Sequence, residues 1–258
     1  MEILSYALGK KSSGGGTSGR DWTQIGYTKE PSAIQSGFDY AKQIQQNWDA
    51  TITNRTEYFS HDGKLIFFPS VDTSNITNAT NMFQYSTVMS LADDFDFSHL
   101  TNCTGMFYYS SLKYVDNVVL GNPQANNMFG YVNDLKVNNF VATSNDNSLS
   151  FSSNQNITIN TLGIKAGTRA IFSNVTNLDI KQINNYDNHT SRSRALIGSS
   201  TMTNRTIDEF LKYFKTLTSQ SSSYKKLSSM GFSSANCDQA ILSSHWQDLV
   251  DAGWVTGY

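Results

Sequence analysis

Charge is what this chain has least of. Only 16% of its 258 residues are Asp, Glu, Lys or Arg, with a formal net charge of -2 and a pI near 6.1. A protein built to neutralise phosphates needs a basic stripe, so nucleic acid is excluded as a partner. An anionic membrane surface is a poor match for the same reason. Cysteine is equally scarce. Cys103 and Cys237 lie far apart, make no metal-spaced pair and no disulfide framework, and read as buried side chains. No apolar run approaches the roughly 18 residues of a membrane span, so no membrane-spanning helix is expected. The opening MEILSYALGKKSSGGG carries its charge after an apolar stretch too short for a signal-peptide core, and the expectation is a chain without a secretion signal. The eight N-x-[ST] triplets, at Asn54, Asn75, Asn78, Asn102, Asn156, Asn174, Asn188 and Asn204, then read as turns rather than glycosylation sites.

Catalytic motifs are missing too. There is no G-x-S-x-G, P-loop, H-E-x-x-H or G-x-G-x-x-G pattern. Gly14–Gly16 lacks the strand before it and the helix after it that a phosphate loop requires, so it is a linker. His61, His99, His189 and His245 are scattered without a second ligand at metal spacing, and each reads as a surface or turn residue. Asp93, Asp94 and Asp96 are the densest acidic group and would suit Ca²⁺ if they converged. Phe95 and Phe97 take the inward positions there, which turns the aspartates outward. Asp39, Asp49 and Glu57 are too widely spaced to argue as a glycosidase pair. No cofactor, no metal and no enzymatic activity are expected.

What is abundant is Asn, Ser and Thr, residues that hydrogen-bond in turns. Four regions separate along the chain. Residues 1–20 are a short apolar stretch with Ile3, Leu4, Tyr6, Ala7 and Leu8, followed by the flexible linker KKSSGGGTSGR. A helix this short is marginal alone, so it reads as a peptide that docks into something else. Residues 21–62 form an N-terminal helical cap. Pro31 suits its first turn, and Ile34, Phe38, Ala41, Ile44 and Trp48 make one apolar face over 31–49.

Residues 63–203 repeat. Phenylalanine recurs at Phe83, Phe107, Phe129, Phe151 and Phe172, in steps of 24, 22, 22 and 21 residues, and Met precedes the first three. Five or six residues later come Val88, Leu112, Leu135, Ile157 and Leu178, and eight later come Leu91, Val115, Val137, Ile159 and Ile180. The pattern continues through Val118 and Leu120, Phe140, Leu162 and Ile164, and Ile183, while Leu65–Phe68 reads as the strand of a partial first repeat. Units of this length cannot bury their apolar side chains alone and must stack. The fold class is therefore α/β, a short leucine-rich-repeat-like solenoid of about five repeats of 21–24 residues. It has an N-terminal helix and a C-terminal helical cap over 204–258. In that cap, Thr206-x-x-Glu209 is a capping box opening a helix with Ile207, Phe210, Leu211, Phe214 and Leu217. A second helix begins near Ser234 with Cys237, Ala240 and Ile241. A third starts at Ser244, with Gln247 at the capping-box position and Gly253 as the stop.

Two units, Thr73-Ser74-Asn75-Ile76-Thr77-Asn78-Ala79-Thr80-Asn81-Met82-Phe83 and Leu100-Thr101-Asn102-Cys103-Thr104-Gly105-Met106-Phe107, resemble the repeat unit of BspA-like leucine-rich-repeat proteins. These occur on bacterial surfaces and in tailed phages of gut bacteria. The resemblance covers roughly 65–200 and fades to hydrophobic spacing after Met128-Phe129. The opening Met1–Lys11 with Gly14–Gly16 is similar to leader segments of phage virion proteins, and Trp246–Tyr258 to the C-termini of phage-encoded repeat proteins. The resemblance implies a virion structural or adhesion protein, a fibre-like or decoration component of head or tail, located on the phage particle. Ile3, Leu4, Tyr6 and Leu8 would anchor it to other virion proteins. The solenoid would face a host surface protein or glycan, and a homo-oligomer is compatible with this arrangement. A bacterial cell-surface adhesin is the alternative, and the family supplies no catalytic residues. Tyr108, Tyr109, Tyr114, Tyr131 and Tyr186 are the aromatics expected to serve recognition where they are not packed between coils.

Overall fold

A computed structural model describes residues 31–258, apart from 122, 143–149, 169–170, 193–194, 199 and 258. The anchoring residues Ile3, Leu4, Tyr6 and Leu8 lie outside the described residues. The chain is a parallel β-solenoid of about five turns with a few helices. Helix α1 (Pro31–Gln46) comes first. The main sheet follows, formed by β1 (Phe67–Phe68), β2 (Ser90–Leu91), β3 (Tyr114–Val119), β4 (Lys136–Ala142), β6 (Gln155–Ile164) and β8 (Thr176–Ile180), paired in that order, with β9 (Ile183–Asn185) also on β6. A second sheet lines up β5 (Phe151–Ser152), β7 (Phe172–Ser173) and β10 (Ile197–Gly198). Every strand pairing is parallel, as consecutive coils wound in one sense require. Helices α2 (Asn204–Lys215), α3 (Ser234–Ala240) and α4 (Trp246–Asp251) end the chain.

The repeating phenylalanines form one continuous internal stack. Phe83, Phe107, Phe129, Phe151 and Phe172 are fully buried, with successive ring centroids 5.2, 5.3, 4.9 and 5.2 Å apart. Phe59 extends the stack by one rung, 5.6 Å from Phe83. Each pair adds about 0.5–1.5 kcal/mol to the burial itself. Strand register sets the aliphatic rows beside it: Val115, Val137, Ile159 and Ile180 align, as do Val118, Phe140, Leu162 and Ile183.

The turn that carries each phenylalanine has a fixed hydrogen-bond plan. In the first coil the N–H groups of Arg55, Glu57, Phe59 and His61 donate to the carbonyls of Asn78, Thr80, Met82 and Gln84 in the second. The second coil repeats this through Ala79, Asn81, Phe83 and Tyr85, which donate to Asn102, Thr104, Met106 and Tyr108. Between them, the N–H groups of Tyr58, Ser60 and Asp62 close three-residue turns onto Arg55, Glu57 and Phe59. This plan needs a left-handed residue two positions before and two after the phenylalanine. Glu57 and His61, Asn81 and Tyr85, Gly105 and Tyr109, and Asn127 and Tyr131 all have φ between 52° and 61°. At Gly105 a Cβ would also collide with the Asn81 side chain. Asn54 and Asn78 start their turns by accepting from the N–H and hydroxyl of Thr56 and Thr80, and Asn102 accepts from the N–H of Thr104.

These bonds revise the boundary between cap and solenoid. The repeating turn begins near residue 53, inside the stretch assigned to the N-terminal cap, because residues 53–62 already pair with the second coil. Helix α1 lies against β1. Phe38 stacks on Phe67 at 4.8 Å, the Tyr40 hydroxyl donates to Asp62 at 2.7 Å, and Trp48 donates to the Asp72 carbonyl at 2.8 Å.

At the other end, α2 begins earlier than the sequence pattern indicates. Its N-cap is Thr203, whose side chain accepts from the Thr206 N–H. Thr206 is buried, and its hydroxyl accepts from the Ile180 N–H at 2.7 Å and donates to the Leu178 carbonyl at 3.0 Å. Glu209 accepts from the Ile183 N–H instead of closing a capping box. The last strands thus take both groups that the sequence assigns to the box. The third terminal helix starts at Trp246 rather than Ser244, and Gln247 bonds Asp251 instead of capping it. Ile241 lies beyond the end of α3 and is exposed. Cys103 and Cys237 are both buried and free; burial raises both thiols, Cys237 to about 11.

Candidate functional site

The left-handed position two residues after each buried phenylalanine aims its side chain out of the coil. Along the first four coils that position holds His61, Tyr85, Tyr109 and Tyr131, and in the next two Ser153 and Asn174. The result is a row of aromatic rings on the surface. His61 stacks on Tyr85 at 4.9 Å, Tyr85 on Tyr109 at 5.3 Å and Tyr109 on Tyr131 at 4.3 Å, with the three tyrosine rings within 11° of parallel. Tyr85, Tyr109 and Tyr131 remain 46%, 45% and 39% exposed. Tyr108 stands edge-on to all three, at 82° to 90°.

A β-carbon in the left-handed region costs roughly 1 kcal/mol, which Asn or Gly tolerates better. Three consecutive coils nevertheless place tyrosine there. Stacking offsets that strain, and it also covers the ring faces with one another. The row therefore presents ring edges and hydroxyl groups to solvent. The residues flanking the three tyrosine rungs, Gln84, Ser86, Tyr108, Ser110, Gly130 and Val132, are uncharged, while His61 is followed by Asp62. Desolvation and then the neighbouring tyrosines push Tyr108 and Tyr109 above the ordinary tyrosine range, so those hydroxyls stay neutral.

Of the five aromatics singled out by sequence, Tyr109, Tyr131 and Tyr186 are exposed, while Tyr108 and Tyr114 are half-buried. Tyr186 is separate from the row and sits with Lys165 5.1 Å from its ring. The sequence reading missed His61, Tyr85 and the exposed Tyr58. Tyr85 carries a sequence signal, since it follows Phe83 by two residues as Tyr109 and Tyr131 follow Phe107 and Phe129, whereas His61 follows Phe59, which stands outside the phenylalanine repeat of the sequence.

Other polar groups are tied up locally. Asp93 and Asp94 point outward, while Asp96 is partly buried and bonded to the Ser98 N–H and to His99. Asp39 is bonded by Gln35 and Asp49 by Thr51. Among the described residues, no group of three His, Cys, Asp or Glu side chains converges as a metal site would. His189 departs from the surface or turn role assigned to it. Its side chain is only 8% exposed, with Nδ1 against Asp187 and Nε2 2.7 Å from the Tyr213 hydroxyl, which also accepts from Arg192 at 3.2 Å. This network joins the loop after β9 to α2. Buried Arg55 lies 3.9 Å from the Trp48 ring and 4.5 Å from the Tyr58 ring, and donates to the Asp49 carbonyl.

The outer face of the main sheet carries amide ladders. Asn138 donates to Asp116, Asn160 to Asn138, and Asn139 to Asn117, each near 3.0 Å. At its far edge Arg205 pairs with Asp179 over a shallow, open recess lined by Asn156, Thr158, Asn177 and Thr203. No helix among the described residues is long and apolar enough to cross a membrane. Comparison with protein-family models, curated proteins and solved structures returns no match.

Proposed function

We propose that this chain is a recognition protein whose working surface is the row His61, Tyr85, Tyr109 and Tyr131, carried on a rigid solenoid. The observation that carries the reading is the row itself: large aromatic side chains held outside the coil, in consecutive repeats, at a backbone position unfavourable to them. Tyrosine gives broad contact at small entropic cost, which suits a binding surface. The repeats are of the leucine-rich kind, with α1 covering the first coil and α2–α4 the last. Solenoids require such covers for solubility.

The setting rests on resemblance. The repeat units and the leader point to a structural or adhesion protein of a tailed-phage virion, with Ile3, Leu4, Tyr6 and Leu8 inserted into a virion partner and the solenoid facing the host. Deleting residues 1–20 tests this. Loss of the protein from purified particles is expected, with the solenoid still folded. Undiminished incorporation overturns the anchor.

A further inference from the structure

The form of the tyrosine row narrows what it binds. Because the rings stack face to face, no broad ring face remains between the rungs for a flat aromatic or apolar ligand to cover. What remains is a line of ring edges and phenolic hydroxyls, repeating every 4.3 to 5.3 Å along the solenoid axis. Each of the three hydroxyls can donate one hydrogen bond and accept others, with Tyr109 also bonded to Tyr131 within the row. A ligand matching this line must itself be linear, repeat at about that spacing and carry hydroxyls along its length. It must also be neutral where it crosses the tyrosines, since neither Tyr85, Tyr109 and Tyr131 nor their flanking residues supply a countercharge, and Asp62, beside His61 and bonded by the Tyr40 hydroxyl, would repel an anionic chain. A hexose chain in extended form has these properties.

We propose that the row His61-Tyr85-Tyr109-Tyr131 binds a neutral, linear hexose polymer lying parallel to the solenoid axis, about one sugar per rung. Tyr108, perpendicular to the stack and half-buried beside it, acts as the side wall. The stripe ends where Ser153 replaces tyrosine, so the bound length is about four sugars. The inference rests on the recognition role proposed above and gives that surface a ligand class.

Calorimetric titration of the full chain tests it with neutral hexasaccharides (cellohexaose, maltohexaose and mannohexaose) beside a polyuronate hexasaccharide. At least one neutral chain is expected to bind saturably, with the corresponding disaccharide much weaker. Tyr109→Asn, which suits the left-handed backbone, is expected to weaken that binding about tenfold, and the polyuronate is expected not to bind. Failure of all three neutral chains overturns the proposal, as does equal binding by Tyr109→Asn or by the polyuronate. Adsorption of the labelled protein to host cells separates the two levels. If Tyr85, Tyr109 and Tyr131 are needed for adsorption and no neutral chain binds, the recognition surface stands and its ligand is a protein. If neither holds, both readings fall.

Discussion

At Tyr213, one side chain joins the solenoid to the first terminal helix. Burial pushes its hydroxyl up to about 12, and the Arg192 guanidinium beside it opposes this only in part. Tyr40, on the first helix, is likewise raised to about 12 by burial and by its bond to Asp62. The folded state therefore holds both protons more tightly than the unfolded chain does. That contribution is complete below the unfolded tyrosine value near 10 and is lost as pH rises toward 12. Thermal melts between pH 9 and pH 12 should show a steep alkaline loss of stability. Tyr213→Phe is expected to flatten part of it while lowering stability at neutral pH, because the His189 and Arg192 contacts to the hydroxyl disappear. An unchanged alkaline slope in that variant would remove Tyr213 from the account.

Among the elements, the phenylalanine stack is the one whose neighbours depend on it most. Phe107 touches a ring on either side, at 5.2 and 5.3 Å, so truncation opens a cavity between two coils instead of at an end. Phe107→Ala should cost about 3–5 kcal/mol, measured by denaturant unfolding. Phe172→Ala, whose ring stacks on Phe151 alone among the described residues, should cost less. Equal costs would mean that the stack does not transmit between coils. This element was legible in the sequence because a buried ring must recur once per turn, and its spacing survives even where the surrounding motif fades. Phe59 is not legible in the sequence because its coil lacks the Met-Phe pair. The cap of α2 was misplaced by three residues for a different reason. Thr206 and Glu209 have the local spacing of a capping box, but main-chain groups of Leu178, Ile180 and Ile183 reach them first, and those contacts span 26 to 28 residues. The tyrosine row was half legible. Its members look like scattered aromatics until the left-handed position two residues after each phenylalanine is known to point outward.

For the molecule as a whole, the two ends of the solenoid differ. The first coil's carbonyls at Asn54, Thr56, Tyr58 and Ser60 accept from no N–H among the described residues, whereas the Leu196 N–H in the last coil reaches the Met230 carbonyl. Gly231 allows that closure, since a Cβ there would strike the Ile197 carbonyl. Between the ends, the aromatic row occupies the first four coils and stops, so the presented surface is a short segment on a longer support. The most direct test of the proposed role is adsorption of the labelled full chain to host bacteria, compared with a Tyr85→Asn, Tyr109→Asn, Tyr131→Asn variant. Asparagine keeps the left-handed backbone, so the variant should melt within a few degrees of the wild type. The account predicts that its adsorption is lost. A folded triple variant that adsorbs as strongly as the wild type would contradict it.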